Sequence, residues 1–382
     1  MNRLLVYATV GAALVATNAA AKQGLGKARL QQHPALQEVA SFDHQVTGVT
    51  VARDGRIFVN FPRWTEDVPV SVAELKGDGT LIPFPNNEWN AWRNAKRDQL
   101  SAHDHWVCVQ SVVADHEGDL WILDPGAPAQ SLLVPDAPKL VKIDLATDKI
   151  SRTIAFDESA APQGSYLNDV RFSPDDKYAY ITDSGAIGAL LVVDIASGKT
   201  RRVLSGDPST QSESDVQVKI DGKVLRRTDG RGVEFAADGI ALSNDGRQLY
   251  WQAIKGKTLY RIETEAMRNL GLDARMLAAK VEKVGENGPA DGLLITRDDT
   301  MYISAVEENA IKVRRNGRVS VLFQDSRLRW PDTFAEGPDG MIYITSSRIM
   351  DMSWFKPNSK PALATKLFRF DPAGFASDRT MQ

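Results

Sequence analysis

The sequence contains almost no cysteine. Cys108 is the only one in 382 residues, so no disulfide can form within the chain. Neither sign of charge is in large excess, because 46 Lys and Arg residues nearly balance 49 Asp and Glu residues and leave a net charge of −3. A chain without a basic excess offers no electrostatic field for nucleic acid, and we expect no nucleic-acid partner.

Two common catalytic signatures are missing as well. The chain has no G-x-S-x-G turn, which disfavours a serine hydrolase, and no G-x-G-x-x-G after a strand, which disfavours dinucleotide binding. His103 and His105 are close in sequence, but no second group of Cys or His residues is present to complete a histidine metal centre.

Long apolar runs are confined to the N-terminus. Arg3 precedes a largely apolar stretch over residues 4–16, and small residues follow up to Ala21. This order predicts a secretory signal peptide over residues 1–21, with a retained membrane anchor as the alternative. Either way we expect a secreted or periplasmic protein, and no segment after residue 21 has the length to cross a bilayer.

One pattern recurs six times: a short apolar strand, a D-G type turn, and a second strand carrying an aromatic residue. The copies begin at Gly48, Ser111, Asp169, Gly239, Gly292 and Thr333, at intervals of 41 to 70 residues. Intervals of this size suit a four-stranded sheet with its loops, so the repeats predict an all-β fold, a six-bladed β-propeller over residues 22–382.

Three further features of this propeller are predicted. Residues 36–42 and 365–370 both have strand character, and their pairing would close the last blade from both termini. A loop or helix insertion near residues 83–107 would cover one face. We expect the repeated aromatic residues to pack between the blades; they are Phe58, Trp121, Tyr180, Tyr250, Tyr302 and Tyr343.

The residue before each copy is polar, although an apolar strand follows. These residues are Thr47, Gln110, Asn168, Asp238, Asp291 and Asp332. Because innermost strands run along the channel of a propeller, we expect the six side chains to ring one mouth of it and to bind a small-molecule ligand. The alternative is that the Asp residues only cap strand ends and accept hydrogen bonds from turns.

Carboxylates gathered in one ring need a compensating charge. They require a bound cation, a shared proton or a positively charged ligand. The oxygen-rich set Asn168, Asp238 and Asp291 suits a divalent cation such as calcium. Trp330 is a further candidate for ligand binding, because an aromatic ring beside carboxylates suits an aromatic amine. His105 is another, because the insertion near residues 83–107 that it ends lies next to Gln110.

Several segments resemble the Yellow and major royal jelly protein family, in particular its bacterial members. They are LIPFPNNEWN, SVVADHEGDLWILDPG and YAYITDSGAIGALLVVDIASGKTRRVLS. The resemblance implies a secreted six-bladed propeller whose channel mouth binds a small molecule. Insect members are associated with pigment chemistry and amine binding, and bacterial relatives are often labelled dopachrome-tautomerase-related.

A more distant resemblance is to gluconolactonase and regucalcin-like propellers. It implies a divalent metal at the channel, and the residues that look similar to those metal ligands are Asn168, Asp238 and Asp291. The first blade offers Thr47 where these proteins have Glu, and Asp332 could substitute.

The leading hypothesis is an exported propeller that binds a small polar or amine-bearing ligand at the channel mouth. The alternatives are a metal-dependent lactonase-type hydrolase with Asp291 as general base, a dopachrome-tautomerase-like isomerase, and a protein interaction scaffold. The sequence does not specify an oligomeric state.

Overall fold

The structure, a computed structural model, describes residues 32–128, 132–356 and 364–375. The predicted signal peptide over residues 1–21 lies outside these ranges. No helix in the described ranges combines the length and the apolar character that crossing a membrane requires. The predicted six-bladed propeller is confirmed, since six four-stranded antiparallel sheets follow one another along the chain.

The strands of each blade are given from the channel outwards. Blade 1 has β2 (Gly48–Val51), β3 (Ile57–Asn60), β4 (Val72–Leu75) and β5 (Leu81–Pro83). Blade 2 has β6 (Ser111–Ala114), β7 (Leu120–Asp124), β8 (Lys139–Asp144) and β9 (Lys149–Ala155). Blade 3 has β10 (Leu167–Phe172), β11 (Tyr178–Asp183), β12 (Ala189–Asp194) and β13 (Thr200–Val203). Blade 4 has β16 (Ala237–Leu242), β17 (Gln248–Ala253), β18 (Thr258–Glu263) and β19 (Glu282–Glu286). Blade 5 has β20 (Ala290–Ile295), β21 (Met301–Ala305), β22 (Ala310–Arg315) and β23 (Arg318–Gln324). Blade 6 has β24 (Pro331–Glu336), β25 (Ile342–Ser346), β26 (Thr365–Phe370) and β1 (Gln37–Phe42).

The ring closes as the sequence predicts. Strand β1 near the N-terminus pairs antiparallel with β26 near the C-terminus and becomes the outer strand of blade 6. Each innermost strand contacts those of both neighbouring blades, and the contacts run round from β24 back to β2. Mixing the two ends of the chain in one sheet leaves no gap between the first and last blades.

The repeated D-G and D-D turns have a common backbone reason. Each of the six turns between an inner strand and its neighbour has one residue with a positive φ, which favours Gly and tolerates Asp. These residues are Gly55, Gly118, Asp176, Gly246, Asp299 and Gly340.

The repeated aromatic residues fill the space between blades. Trp121 of blade 2 lies 5.1 Å from Phe172 of blade 3, measured between ring centroids, and Tyr302 of blade 5 lies 6.3 Å from Phe334 of blade 6. Five of the six repeated aromatics are buried, while in blade 4 Tyr250 is half-buried and the adjacent Trp251 is buried. Full burial of one such side chain stabilises the fold by roughly 1.5–3 kcal/mol.

Helices and a hairpin complete the chain between blades. Helices α1 (Thr264–Arg268) and α2 (Ala274–Ala278) join β18 to β19, and strands β14 (Lys219–Ile220) and β15 (Lys223–Val224) form a hairpin between blades 3 and 4. Short 3-10 helices occupy Asn94–Lys96, Ile349–Asp351 and Pro372–Phe375. The segment 83–107 therefore consists of turns and one 3-10 helix, because its buried tryptophans anchor it to the blades rather than aligning on a helix face.

Candidate functional site

Five of the six polar residues before the repeats gather around one small cavity at a channel mouth. The cavity has a volume of about 20 Å³. Its lining consists of Trp64, Gln110, Asn168, Ser184, Phe235, Asp238, Ile254, Asp291, Trp330, Asp332 and Ile349. The apolar members come from different loops and cover a polar base contributed by the innermost strands.

Irregular pairing directs these side chains into the channel. In blades 3 to 6 the register between the inner strand and its neighbour shifts at the polar residue, and the shifts fall at Asn168, Asp238, Asp291 and Asp332. A β-bulge re-aims a side chain that regular alternation would place elsewhere, and bulges are common next to functional sites.

Glycine after the Asp residue lets neighbouring inner strands come close. A Cβ atom on Gly239 would lie 2.2 Å from the carbonyl oxygen of Asp291, and one on Gly292 would lie 2.1 Å from the carbonyl oxygen of Asp332. The glycine of D-G at these positions thus allows close packing around the channel. In the turns between an inner strand and its neighbour, by contrast, D-G allows the positive φ angle of the turn.

Burial raises the pKa of all three carboxyl groups in the ring. The pKa values of Asp238 and Asp332 lie well above the usual range because each group is desolvated and also faces the charge of Asp291. The pKa of Asp291 rises only to about 6, because burial is partly offset by hydrogen bonds from Trp330 and from the carboxyls of Asp238 and Asp332. A central carboxylate therefore lies between two acids that hold protons in the absence of a cation.

Trp330 contributes a donor to this ring from a rare backbone conformation. Its indole N–H donates to Oδ2 of Asp291 across 2.6 Å, and its side chain is fully buried. The φ angle of Trp330 is +57°, a left-handed conformation that bulky residues seldom adopt. The backbone N–H of Ser347 holds it there by donating to the carbonyl of Trp330 across 3.0 Å. Strain of this kind clusters at functional sites.

Gln110 is held in place by a chain of hydrogen bonds. The indole N–H of Trp64 donates to the hydroxyl of Tyr166 across 2.8 Å, and that hydroxyl donates to Oε1 of Gln110 across 2.8 Å. Asn168 has no side-chain hydrogen bond to any of the described residues and lines the cavity with its amide. The Asn168 amide can therefore turn toward a ligand, whereas Gln110 is fixed in its position at the cavity.

Thr47 and His105 lie elsewhere in the part of the chain that the structure describes. The Thr47 hydroxyl accepts from Nδ2 of Asn60 across 2.9 Å and donates to the carbonyl of Gln110 across 3.3 Å, so it ties blade 1 to blade 2. The Nδ1 atom of His105 lies 2.7 Å from the carbonyl oxygen of Ser101, within the 83–107 segment. Neither residue belongs to the cavity lining.

An arginine side chain crosses the channel one step further from this mouth. Arg171 of blade 3 pairs with Asp169 across 2.8 Å, measured from Nη1 to Oδ2, and its Nη2 donates to the carbonyl of Leu293 in blade 5 across 3.1 Å. The guanidinium thus bridges two blades that are not neighbours.

A second acidic cluster lies in the turn between β6 and β7 of blade 2. Among the described residues, only Asp115, Glu117 and Asp119 bring three acidic oxygen atoms within 4.8 Å of one another. The ammonium of Lys142 lies 3.2, 2.8 and 3.1 Å from these carboxylates. An internal cation, Lys142, already occupies the position that a metal ion would take among these carboxylates, which favours a structural role.

Comparison with known proteins assigns the family. Residues 107–351, well over half of the chain, match the sequence profile described as "Major royal jelly protein". The chain belongs to the major royal jelly protein family. The matched region spans blades 2 to 5 and the two inner strands of blade 6, and it contains Gln110, Asn168, Asp238, Asp291 and Asp332.

Two curated relatives show low identity within this family. Dopaminechrome tautomerase of Drosophila melanogaster is 26% identical over 161 residues, which cover 39% of this chain and 34% of the relative. Major royal jelly protein 1 of Apis mellifera is 25% identical over 228 residues, which cover 56% of this chain and 49% of the relative. The chain thus spans half or less of the length of these relatives.

Solved structures confirm the propeller and the similarity to lactonase-like folds. A gluconolactonase from Xanthomonas campestris aligns with a TM-score of 0.51 at 11% identity, covering 88% of this chain and 89% of its own. A calcium-binding protein, regucalcin, from Agrobacterium tumefaciens aligns with a TM-score of 0.50 at 17% identity, covering 87% and 94%. At such identities the similarity concerns the fold.

Sequence reasoning missed the apolar cover of the cavity. Trp64, Phe235, Ile254 and Ile349 come from loops outside the repeated pattern. The repeat alignment could not identify them, because they have no equivalent in the other blades. A tryptophan shortly after the second strand of blade 1 was the only local signal, and it has no counterpart to compare with.

Proposed function

We propose that this protein binds a small amine-bearing molecule, with the ammonium group among Asp238, Asp291 and Asp332. The burial of three carboxyl groups around one cavity is the observation that carries the proposal. Removing such groups from water is costly unless they are protonated or paired with a cation.

The dimensions of the site favour a head group over a whole ligand. A cavity of about 20 Å³ holds little more than a water molecule or an ammonium group. A cleft of about 720 Å³ lies beside it and shares Ser184 and Phe235 with its lining. The ligand would therefore place its cationic end in the cavity and its body in the cleft, against the ring of Phe235.

A second candidate function is proton transfer on the same ligand. Asp291 has a pKa of about 6, which suits a group that both takes and returns a proton near neutral pH. A relative is named dopaminechrome tautomerase, and a tautomerase moves a proton within its substrate. We infer that Asp291 would be the acid or base of such an isomerase.

A hydrolase of lactone type would need a divalent cation such as calcium. Asn168, Asp238 and Asp291 fit a hard cation chemically, because all three offer oxygen atoms to one cavity. The fit is incomplete in blade 1, where the Thr47 hydroxyl is engaged by Asn60 and by the carbonyl of Gln110. A bound cation would polarise the substrate carbonyl and lower the pKa of water.

Calorimetry with a matched pair of probes tests the leading proposal. Tyramine carries an ammonium group that 4-ethylphenol lacks, so the wild-type protein should bind tyramine at least tenfold more tightly. Asp332→Asn should abolish this difference. Asp339 is an exposed acid in the turn between β24 and β25 of the same blade, and Asp339→Asn should preserve the difference. Equal binding of the two probes by the wild type would refute the proposal.

Metal analysis separates the hydrolase from the amine-binding protein. Purified protein should contain less than one equivalent of divalent metal, and chelation should leave tyramine binding unchanged. Stoichiometric calcium together with chelator-sensitive lactone hydrolysis would replace the leading proposal with the hydrolase.

Export is a further part of the proposal. The charged start, the apolar stretch and the small residues up to Ala21 support a cleaved signal peptide. Expression of the full chain in a Gram-negative host should yield periplasmic protein with Lys22 at its N-terminus. Unprocessed protein in the cytoplasm would contradict this expectation.

A further inference from the structure

The cleft beside the acidic cavity contains a guanidinium without a polar partner. Arg227 lines the cleft, and its side chain makes no hydrogen bond or ion pair with any of the described residues. Its Nε atom is buried and unbonded. Burial and the nearby charge of Arg231 lower the pKa of Arg227, since both disfavour the charged form.

Aromatic rings hold this guanidinium in place. Its central carbon lies 5.6 Å from the ring centroids of both Phe235 and Trp354 and 6.0 Å from that of Phe355. Ring faces compensate part of the charge but accept no N–H hydrogen bonds along the guanidinium edge. A structural arginine of the same chain, Arg202, instead donates to Asp183 across 2.6 Å.

A second cation of the cleft is also unpaired. Lys255 lines the cleft and forms no ion pair with any carboxylate in the described ranges. Arg231, the third cation there, differs because it pairs with Asp229 across 2.8 Å and with Glu234 across 3.4 Å. The cleft thus presents two cations that no carboxylate of the described residues contacts directly, although the charges of Glu234 and Asp229 lie near Arg227. The adjacent cavity presents buried carboxyl groups.

The cleft and the cavity lie side by side and share lining residues. Phe235 lines both and also packs on Arg227. Trp354 lies near Arg227 on one side and 5.2 Å from the ring of Trp64, a cavity residue, on the other. One molecule of modest size could therefore meet both charges, with its apolar body along Phe235.

We propose that Arg227 and Lys255 form a carboxylate subsite, so that the ligand is a zwitterion with an ammonium at the acidic cavity and a carboxylate in the cleft. The inference rests on the proposed function and names the ligand class. A planar carboxylate matches the edge of a guanidinium and accepts two of its N–H groups. A single negative charge on the ligand suits the cleft, because Glu234 is already present at its edge.

Three related probes test the subsite by calorimetry. Tyramine carries the ammonium alone, 3-(4-hydroxyphenyl)propionate carries the carboxylate alone, and tyrosine carries both. The wild-type protein should bind tyrosine at least tenfold more tightly than tyramine. Arg227→Gln and Lys255→Gln should each remove most of that advantage while changing tyramine affinity less than twofold.

Arg231→Gln is the matched control, because it removes the same charge from the same cleft but from a residue that is already paired. It should leave the tyrosine advantage within twofold of wild type. Arg227→Gln also removes a cation from an aromatic cage and could unfold the loop. Lys255→Gln, which lies outside the cage, then decides the matter.

The outcomes separate this subsite from the acidic ring. If tyramine fails to bind but the propionate binds in an Arg227-dependent way, the carboxylate subsite is supported and the ammonium site at the acidic ring is refuted. Tyrosine binding no tighter than tyramine in the wild type would overturn the subsite and leave the ring. A tyrosine advantage that survives both Arg227→Gln and Lys255→Gln would overturn it as well.

Discussion

Trp330 donates its indole N–H to Asp291 across 2.6 Å, and this bond joins the strained start of blade 6 to the central carboxylate of the ring. The bond stabilises the ionised form of Asp291 and holds its pKa at about 6 against the effect of burial. Hydrogen bonds to charged groups contribute roughly 1.5–3 kcal/mol, which corresponds to about one to two pKa units.

Trp330→Phe should therefore raise the pKa of Asp291 by about one unit or more. Carboxyl NMR titration of specifically labelled Asp measures this directly. Trp64→Phe is the matched control, because Trp64 lines the same cavity but donates to Tyr166. An equal shift in both variants would show that packing, and not the indole donor, sets the pKa.

Binding of an ammonium at the ring should depend on pH. Asp238 and Asp332 have raised pKa values and hold protons that an entering cation must displace. Tyramine affinity should thus increase with pH, by up to about tenfold per unit for each proton released. Calorimetry in buffers of different ionisation enthalpy counts the protons, and an affinity that is flat from pH 5 to pH 8 would contradict the cation site.

The stability of the ligand-free protein should also depend on pH through these carboxyl groups. The folded-state pKa of Asp238 lies above its ordinary value of 3.8. Its protonated form therefore stabilises the fold at low pH, and that contribution is lost as the pH rises through the folded-state pKa. Asp238→Asn should resemble wild type near pH 4 and become progressively more stable than wild type toward pH 8.

Thermal unfolding of the two proteins across this range measures the difference. The variant should gain about 2 °C or more at the alkaline end. Asp245→Asn, in an exposed turn, provides the control and should show no such widening gap, because the pKa of Asp245 is lowered rather than raised. A constant difference between Asp238→Asn and wild type at every pH would contradict the buried proton.

Close packing around the channel should make Gly292 intolerant of a side chain. A Cβ atom there would lie 2.1 Å from the carbonyl oxygen of Asp332, so one inner strand would have to move. Gly292→Ala should cost about 1–3 kcal/mol in the free energy of unfolding, measured by urea denaturation. Gly77→Ala should stay within about 0.5 kcal/mol, because no atom lies within 4 Å of the added Cβ.

The buried ion pair of Lys139 and Asp124 should be sensitive to the loss of one partner. Their charged atoms lie 3.2 Å apart and both side chains are fully buried. Lys139→Met would leave Asp124 with backbone donors but no cation, at a cost of roughly 3–5 kcal/mol in unfolding free energy. Lys177→Met breaks an exposed pair with Asp175 and should cost less than about 1 kcal/mol.

The sequence predicted the fold and much of the ring because both repeat. Six copies of one strand and turn pattern fix the blade number, and aligning them led to Asn168, Asp238, Asp291 and Asp332. The same alignment included Thr47, which bonds to Asn60 instead. A repeat can identify equivalent positions, but each blade decides locally which partner a polar side chain meets.

The cleft could not be predicted in this way. Arg227 and Lys255 come from blade 4 and the loop that precedes it, and no other blade repeats them. Their importance depends on having no partner, which only coordinates can show. The bulges that turn the ring residues inward also leave no mark in the sequence, because they arise from the pairing of two strands.

Arg171 gives the molecule a direction. Its guanidinium spans from blade 3 to blade 5 just past the acidic ring, and its charge is compensated there by Asp169. A side chain that reaches across the channel at this level obstructs passage from the acidic ring toward the far mouth. We therefore expect a ligand of the acidic ring to enter and leave by the same mouth, which Trp64 and Phe235 line.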